Sequence, residues 1–233
     1  TKRRYTTLDN KKILSPEQVK RMILKANNIR DKSLVMTLYD SALRAQEFIN
    51  LNVEDVQFSK HSGKIVVKGG AGDKTGSGVV PIIDSVPLLQ RWINEHPDRD
   101  NPKAPLWITT HTRRGYHRIT YSLLNLIIKD LAIAAELHTY REETTRRGKK
   151  EVATRTSIIP HLFRHSRLTT LADTLNEREL TRIARWTRDS QMPAVYVHPD
   201  DEHIEKKMLQ ERGLEPKDDE GMSKVLAPRP CPR

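Results

Sequence analysis

Pro160-His161-Leu162-Phe163-Arg164-His165-Ser166 opens a helix and arms its first turn. Proline suits a first helical position because the N–H it lacks is one the helix leaves unpaired anyway. His161 and Arg164 stand three residues apart and share a face. That face lies beside the helix N-terminus, where oriented backbone N–H groups welcome a phosphate. His161 and His165 are four apart, a spacing that metal ligands also use. No Glu lies between them in the zinc-protease manner, however, and no cysteine stands nearby, so the segment points away from metal. It predicts a helix over about 160–174 whose first turn faces an anion.

Outward from this helix, Asn176 and Glu179 form a capping-box pattern for a helix over about 177–187. That helix runs into Ala184-Arg-Trp-Thr-Arg-Asp-Ser-Gln-Met-Pro-Ala-Val-Tyr-Val-His198, where Tyr196 is the only tyrosine after Trp186. Taken singly, Trp186 and Tyr196 read as packing residues. Far upstream, Ser15-Pro16-Glu17-Gln18 marks a helix start with Ser15 as N-cap, and Val19, Met22 and Ile23 form its apolar face. A second helix over about 31–43 carries Leu34, Val35, Leu38 and Ala42 at helical spacing. It ends in Ser41-Ala-Leu-Arg-Ala-Gln-Glu-Phe48, with Arg44 and Glu47 three apart. Alone, such a pair is a surface salt bridge worth about 0–1 kcal/mol.

Two β-branched runs, Lys64-Ile-Val-Val67 and Val79-Val-Pro-Ile-Ile83, flank a glycine-rich connection and predict a hairpin with a mobile tip. Lys74 lies in that tip and Lys68 at its base. The strongest apolar stripe, Leu124, Ile127, Ile128, Leu131 and Ala135, predicts a helix over about 120–137. Residues 138–158 are nearly all polar and carry Arg141, Arg146, Arg147, Lys149, Lys150 and Arg155. They are either a solvated loop or a strand pair lying on nucleic acid, and charge does not decide between the two. A last helix is expected over about 200–212. The fold class is α+β, mainly helical, with one small sheet. Residues 1–14 read as a basic arm, 15–213 as one domain and 214–233 as a disordered tail rich in Pro, Asp and Lys.

The formal charge of +11, from 41 Lys and Arg against 30 Asp and Glu, favours a polyanionic partner, with nucleic acid foremost. The single cysteine, Cys231, excludes an internal disulfide framework and suggests a reducing compartment. No run of about 18 apolar residues exists to span a membrane, and the start lacks the apolar core of a signal peptide. Both ends, Thr1 and Cys231-Pro-Arg233, look cut.

Arg44 within Leu-Arg-x-x-Glu, a lysine-bearing hairpin, His161-x-x-Arg164, Trp186 and Tyr196, in that order, resemble the tyrosine recombinase (phage integrase) family over residues 15–212. The Val195-Tyr-Val-His198 ending, followed by an acidic stretch, is similar to archaeal and archaeal-virus integrases. Trp186 stands where many members carry His, and its spacing to Tyr196 is one residue longer than usual. The resemblance implies the family's catalytic-domain fold, a small antiparallel sheet packed on a helical bundle. It implies site-specific DNA cleavage and rejoining without metal, ATP or any other cofactor, through a 3′-phosphotyrosyl link made by Tyr196. Arg44 and Arg164 would clamp the scissile phosphate, His161 would accept the tyrosine proton, and Trp186 would donate one hydrogen bond. Lys74, with Lys68 as the alternative, would protonate the leaving 5′-oxygen. Glu47 and His165 would be supporting residues, with Glu47 orienting Arg44 or His165. Arg146, Arg147, Lys149 and Lys150 would lie on DNA. The partners implied are double-stranded attachment sites, bound by a homo-tetramer with the segment 200–212 packing in trans or in cis. The setting implied is cytoplasmic, on DNA, with no membrane. A helical domain that family members carry upstream is expected to be missing here, and the terminal cysteine to begin a severed zinc ribbon. Two other readings use the same residues: a type IB topoisomerase-like enzyme and a DNA-binding relative that has lost cleavage.

Overall fold

Ser15 caps the first helix, α1 (Pro16–Lys25), in a complete capping box with Gln18, and its apolar face buries Val19 and Met22. The computed structural model describes residues 13–69, 76–110, 115–146, 149–187 and 189–197, together with 208, 209, 212 and 213; for 144–146 and 149–151 it gives the backbone alone. Leu14, expected in a loose arm, is a core residue, and its N–H donates to Ser166 Oγ at 2.7 Å. The folded body therefore begins before Ser15.

Asn28 caps α2 (Ile29–Ser41). The sequence suggests one apolar face, but Ser33, Thr37 and Ser41 are as fully buried as Leu34, Val35 and Leu38. This is a central helix, enclosed on all sides, which is why small hydroxyl residues fill its second face. Ser41 satisfies its hydroxyl on the Thr37 carbonyl at 2.6 Å. The helix stops at Ala42 in the left-handed region, φ 49°, and Arg44 then caps the short α3 (Ala45–Ile49) with Glu47 at its third position.

Three antiparallel strands follow: β1 (Val56–Phe58), β2 (Gly63–Val67) and β3 (Gly78–Ile82), in the order β1-β2-β3. Pairing sets Ile65 opposite Val80, and the period of two buries Ile65, Val67, Val80 and Ile82 together. α4 (Val86–Asn94), absent from the sequence reading, lays Leu89 and Trp92 onto the core. The segment after it buries Trp107, which stacks on Phe48 with ring centres 4.8 Å apart. α5 (Tyr121–Ala134) buries the expected stripe of Leu124, Ile127, Ile128 and Leu131. Beyond it, the polar stretch forms a two-stranded antiparallel ribbon, β4 (Thr139–Arg146) and β5 (Lys149–Thr156). The fold is α+β and mainly helical as expected, with two small sheets where one was anticipated.

α6 (Pro160–Ala172), α7 (Glu177–Ala184) and α8 (Pro193–Tyr196) complete the body, which extends to Val197. They build a second, smaller apolar cluster of Ala42, Leu168, Ala172, Leu180, Ala184 and Tyr196. Residues 198–233 form a separate unit, in which only 208, 209, 212 and 213 are described, and Met208 and Leu209 are helical there. Most of the helix expected over 200–212, and all of the tail from 214, lie outside the described residues.

Candidate active site

Arg44 occupies its place because the chain changes direction there. Its N–H donates to Glu47 Oε2 at 3.0 Å and its guanidinium to Glu47 Oε1 at 2.9 Å. The expected surface pair is thus a clamp on a helix start, with Glu47 almost buried and Arg44 partly open. Of the two partners expected for Glu47, Arg44 is the one it contacts.

Arg164, one turn into α6, is 4% exposed. It donates through Nη1 to the Ala42 carbonyl and through Nη2 to the Ala184 carbonyl, both at 2.6 Å. These are ends of α2 and α7, so one guanidinium ties together the termini that frame the site. Burial first, and then the charge of Arg44, lower its pKa to about 10. It remains a cation at neutral pH, with donors left for an anion.

Tyr196 ends α8 and is almost buried. Its hydroxyl lies 2.6 Å from His165 Nδ1, and the two rings meet edge-on. Trp186 stacks on the tyrosine ring at 5.4 Å between ring centres. Burial raises the tyrosine pKa, while the Arg164 charge pulls it down. The sequence reading assigned the tyrosine proton to His161; the structure instead puts His165 on the hydroxyl. His161 stacks at 6.2 Å from His165, at the exposed rim, toward Arg164 and Arg44. The reason is helical geometry. Residues 161 and 165 share nearly one face of α6, but 165 lies one turn, about 6 Å, further along the axis, and it is the one that meets Tyr196.

A third arginine, buried like Arg164, joins the cluster. Arg185, 6% exposed, follows α7 in the left-handed region with φ 52° and ψ 49°, which costs an L-residue roughly 1–2 kcal/mol. Its Nη1 is 2.9 Å from the same Glu47 Oε1 that Arg44 holds. The N–H there does not point along the contact, so Nη1 counts among the buried atoms without a hydrogen bond and the pairing is ionic. The sequence reading did not single out Arg185, since a cation just past a helix C-terminus ordinarily complements the dipole in solvent.

Lys74 lies outside the described residues. Lys68 is described, with its ammonium 2.5 Å from Glu54 and 2.8 Å from Asp55. Hydrogen bonds to Asp55 and then Glu54 raise its pKa. In the ribbon, Arg146 is paired with Lys149 and Lys150 with Thr145, by backbone register alone. Arg147 is outside the described residues.

Burial lowers the pKa of His165 and of His96, the latter holding Pro105 O at 3.0 Å through Nε2 and the Asp98 N–H through Nδ1. Each binds its proton less readily folded than unfolded, so stability is full above the unfolded value of about 6.5 and lost as pH falls toward the lower folded value. The urea midpoint is expected to drop as pH falls below about 6.5, and less so in His96→Gln. A midpoint unchanged by acidification would contradict the burial of these rings.

The model of the phage integrase family matches residues 12–203. Tyrosine recombinase XerA of Pyrococcus horikoshii is 27% identical over 156 residues, covering 66% of this chain and 45% of the relative. Tyrosine recombinase XerD of Oceanobacillus iheyensis is 27% identical over 195 residues, covering 80% of this chain and 57% of the relative. The chain thus spans about half the length of the curated relatives it matches. A crystal structure of XerA recombinase superposes with a TM-score of 0.60 at 22% identity, covering 86% of this chain and 63% of that one. XerH site-specific recombinase bound to palindromic difH substrate gives 0.58 at 20% identity, covering 86% and 53%. The fold is that of tyrosine recombinase catalytic domains.

Proposed function

The chain belongs to the phage integrase family, and from that membership we propose that it is the catalytic domain of a site-specific DNA recombinase working through a 3′-phosphotyrosyl intermediate. The observation that carries the reading is the Tyr196 hydroxyl held 2.6 Å from a neutral-leaning histidine, in the field of buried Arg164. Phosphodiester displacement needs those elements: a nucleophile, a base to take its proton, and fixed cations for the charge that builds on the phosphoryl oxygens.

In the reaction we infer, the Tyr196 oxygen attacks phosphorus and its proton passes to His165 Nδ1, the imidazole carrying its own proton on Nε2. A raised tyrosine pKa facing a lowered histidine pKa makes the transfer uphill in the resting site. The proton therefore moves as the P–O bond forms, when Arg44 and Arg164 gain most by donating bidentately to the phosphate. Trp186 supports the tyrosine ring from behind. The P–O5′ bond breaks, and the 5′-oxygen takes a proton from a hairpin lysine. A 5′-hydroxyl from a second duplex then reverses the step. Exchange between two duplexes breaks four strands, and each site has one tyrosine, so four protomers act together; the mass of the complex on DNA tests this.

Lys74 is our choice for the acid, because Lys68 sits on two carboxylates that hold its proton. Lys74→Ala is expected to slow cleavage of ordinary DNA by about 10²–10⁴ and to be rescued by a 5′-bridging phosphorothiolate, whose thiolate leaves without a proton. The same pattern in Lys68→Ala, and not in Lys74→Ala, would transfer the role to Lys68.

The test of the function is covalent capture. Nicked duplexes of randomised sequence, incubated with the chain in chelator, should yield a denaturation-resistant adduct whose DNA-bearing peptide contains Tyr196. Absence of an adduct, or an adduct on another residue, overturns the reading.

A further inference from the structure

A buried arginine in a backbone conformation that glycine adopts freely and an L-residue does not requires a reason in what it touches. Arg185 touches Arg44, Glu47 and the segment that leads into β3. Its own carbonyl accepts from Arg44 Nη2 at 3.5 Å, and the carbonyl just before it, Ala184, accepts from Arg164 at 2.6 Å. The left-handed turn at 185 is what presents these successive carbonyls to the two arginines.

Its side chain runs back the other way. The guanidinium shares Glu47 Oε1 with Arg44, each at 2.9 Å. Nη2 donates to the carbonyl of Gly76, itself left-handed at φ 62°, two residues before β3 begins. Nε lies against Gly78, where an added Cβ would stand 3.1 Å from it. The path of β3 is thus shaped to let Arg185 in. Glu47, lying between two guanidiniums, can neither turn toward solvent nor neutralise Arg44 alone.

We propose that Arg185 is a positioning residue for DNA cleavage: it fixes Glu47, and so Arg44, in the place where Arg44 meets the scissile phosphate, while its backbone carries the carbonyls that steady both arginines. The role rests on the recombinase reading above. Arg185 acts through Arg44 and need not touch DNA.

The experiment uses the full chain with Arg185→Gly, Arg185→Lys and Glu47→Gln, on nicked duplexes recovered by covalent capture with the unaltered chain. Glycine keeps the left-handed turn at no steric cost and removes the side chain that reaches Glu47 and Gly76. Single-turnover cleavage at saturating DNA, measured where both proteins are folded, is expected to fall about tenfold to a hundredfold in Arg185→Gly, the loss that goes with a misplaced reacting group, with DNA affinity close to that of the parent. Arg185→Lys should recover part of the rate, since it restores the charge beside Glu47. In the Glu47→Gln background, Arg185→Gly should cost little more, because both act on the same guanidinium. Cleavage at the parental rate in Arg185→Gly would overturn the proposal, as would a loss that only tracks melting temperature or losses that multiply independently in the double variant. Failure of the parent itself to form a Tyr196 adduct would sink the recombinase reading, and this role with it.

Discussion

Tyr196→Phe is expected to abolish the covalent protein–DNA adduct while leaving duplex affinity within about fivefold, since one neutral hydrogen bond is worth only ~1 kcal/mol. The geometry makes the substitution clean. The ring contacts Trp186 at 5.4 Å and His165 at 5.1 Å between ring centres, and Phe retains both contacts. What goes is one oxygen, together with its contact at 2.6 Å to His165. That bond contributes about 0.5–1.5 kcal/mol, so the variant should fold, bind and fail only in chemistry. An adduct that persisted in Tyr196→Phe would remove Tyr196 from the mechanism, whatever the family resemblance.

Arg164→Ala carries the second large effect, and it acts on two properties at once. Losing a preorganised cation at the phosphate is expected to lower cleavage by at least about 10²–10³. The same side chain is the hydrogen-bond partner of the Ala42 and Ala184 carbonyls in a buried setting. Leaving them without that donor costs about 1–3 kcal/mol apiece, so the urea midpoint should fall as well. Arg164→Lys separates the two. A single ammonium cannot serve both carbonyls and a bidentate phosphate, so stability should recover further than cleavage does. Cleavage of Arg164→Ala within tenfold of the parent, measured where both are folded, would exclude Arg164 from the clamp.

Much of the molecule follows from local rules that the chain states openly. Ser15 with Gln18, and Asn176 with Glu179, cap α1 and α7 where their side chains said they would, because capping depends only on residues three apart. The stripe of Leu124, Ile127, Ile128 and Leu131 needed only helical periodicity to declare a buried face. α2 was harder. Its hydroxyl residues look solvent-facing, and only packing on every side, which depends on distant segments, makes Ser33 and Thr37 interior. The polar stretch that became the β4–β5 ribbon was equally undecidable, since its cross-strand pairing is a fact about two segments and not about either one.

The site divides along the same line. The sequence by itself determined the candidates and the family they resemble: the order of Arg44, His161, Arg164, Trp186 and Tyr196 is visible without any coordinate. Only the tertiary structure decided which groups meet. It put His165 rather than His161 on the tyrosine hydroxyl, and it drew Arg185, unremarkable in sequence, into the interior beside Glu47. The physical reason is that chemical identity is a property of each side chain, whereas a proton path or a shared carboxylate depends on distances between residues far apart in the chain. Arg44 and Arg185 are separated by 141 positions, and they come to share one oxygen of Glu47 only because α2, α6 and α7 bring their ends to the same place.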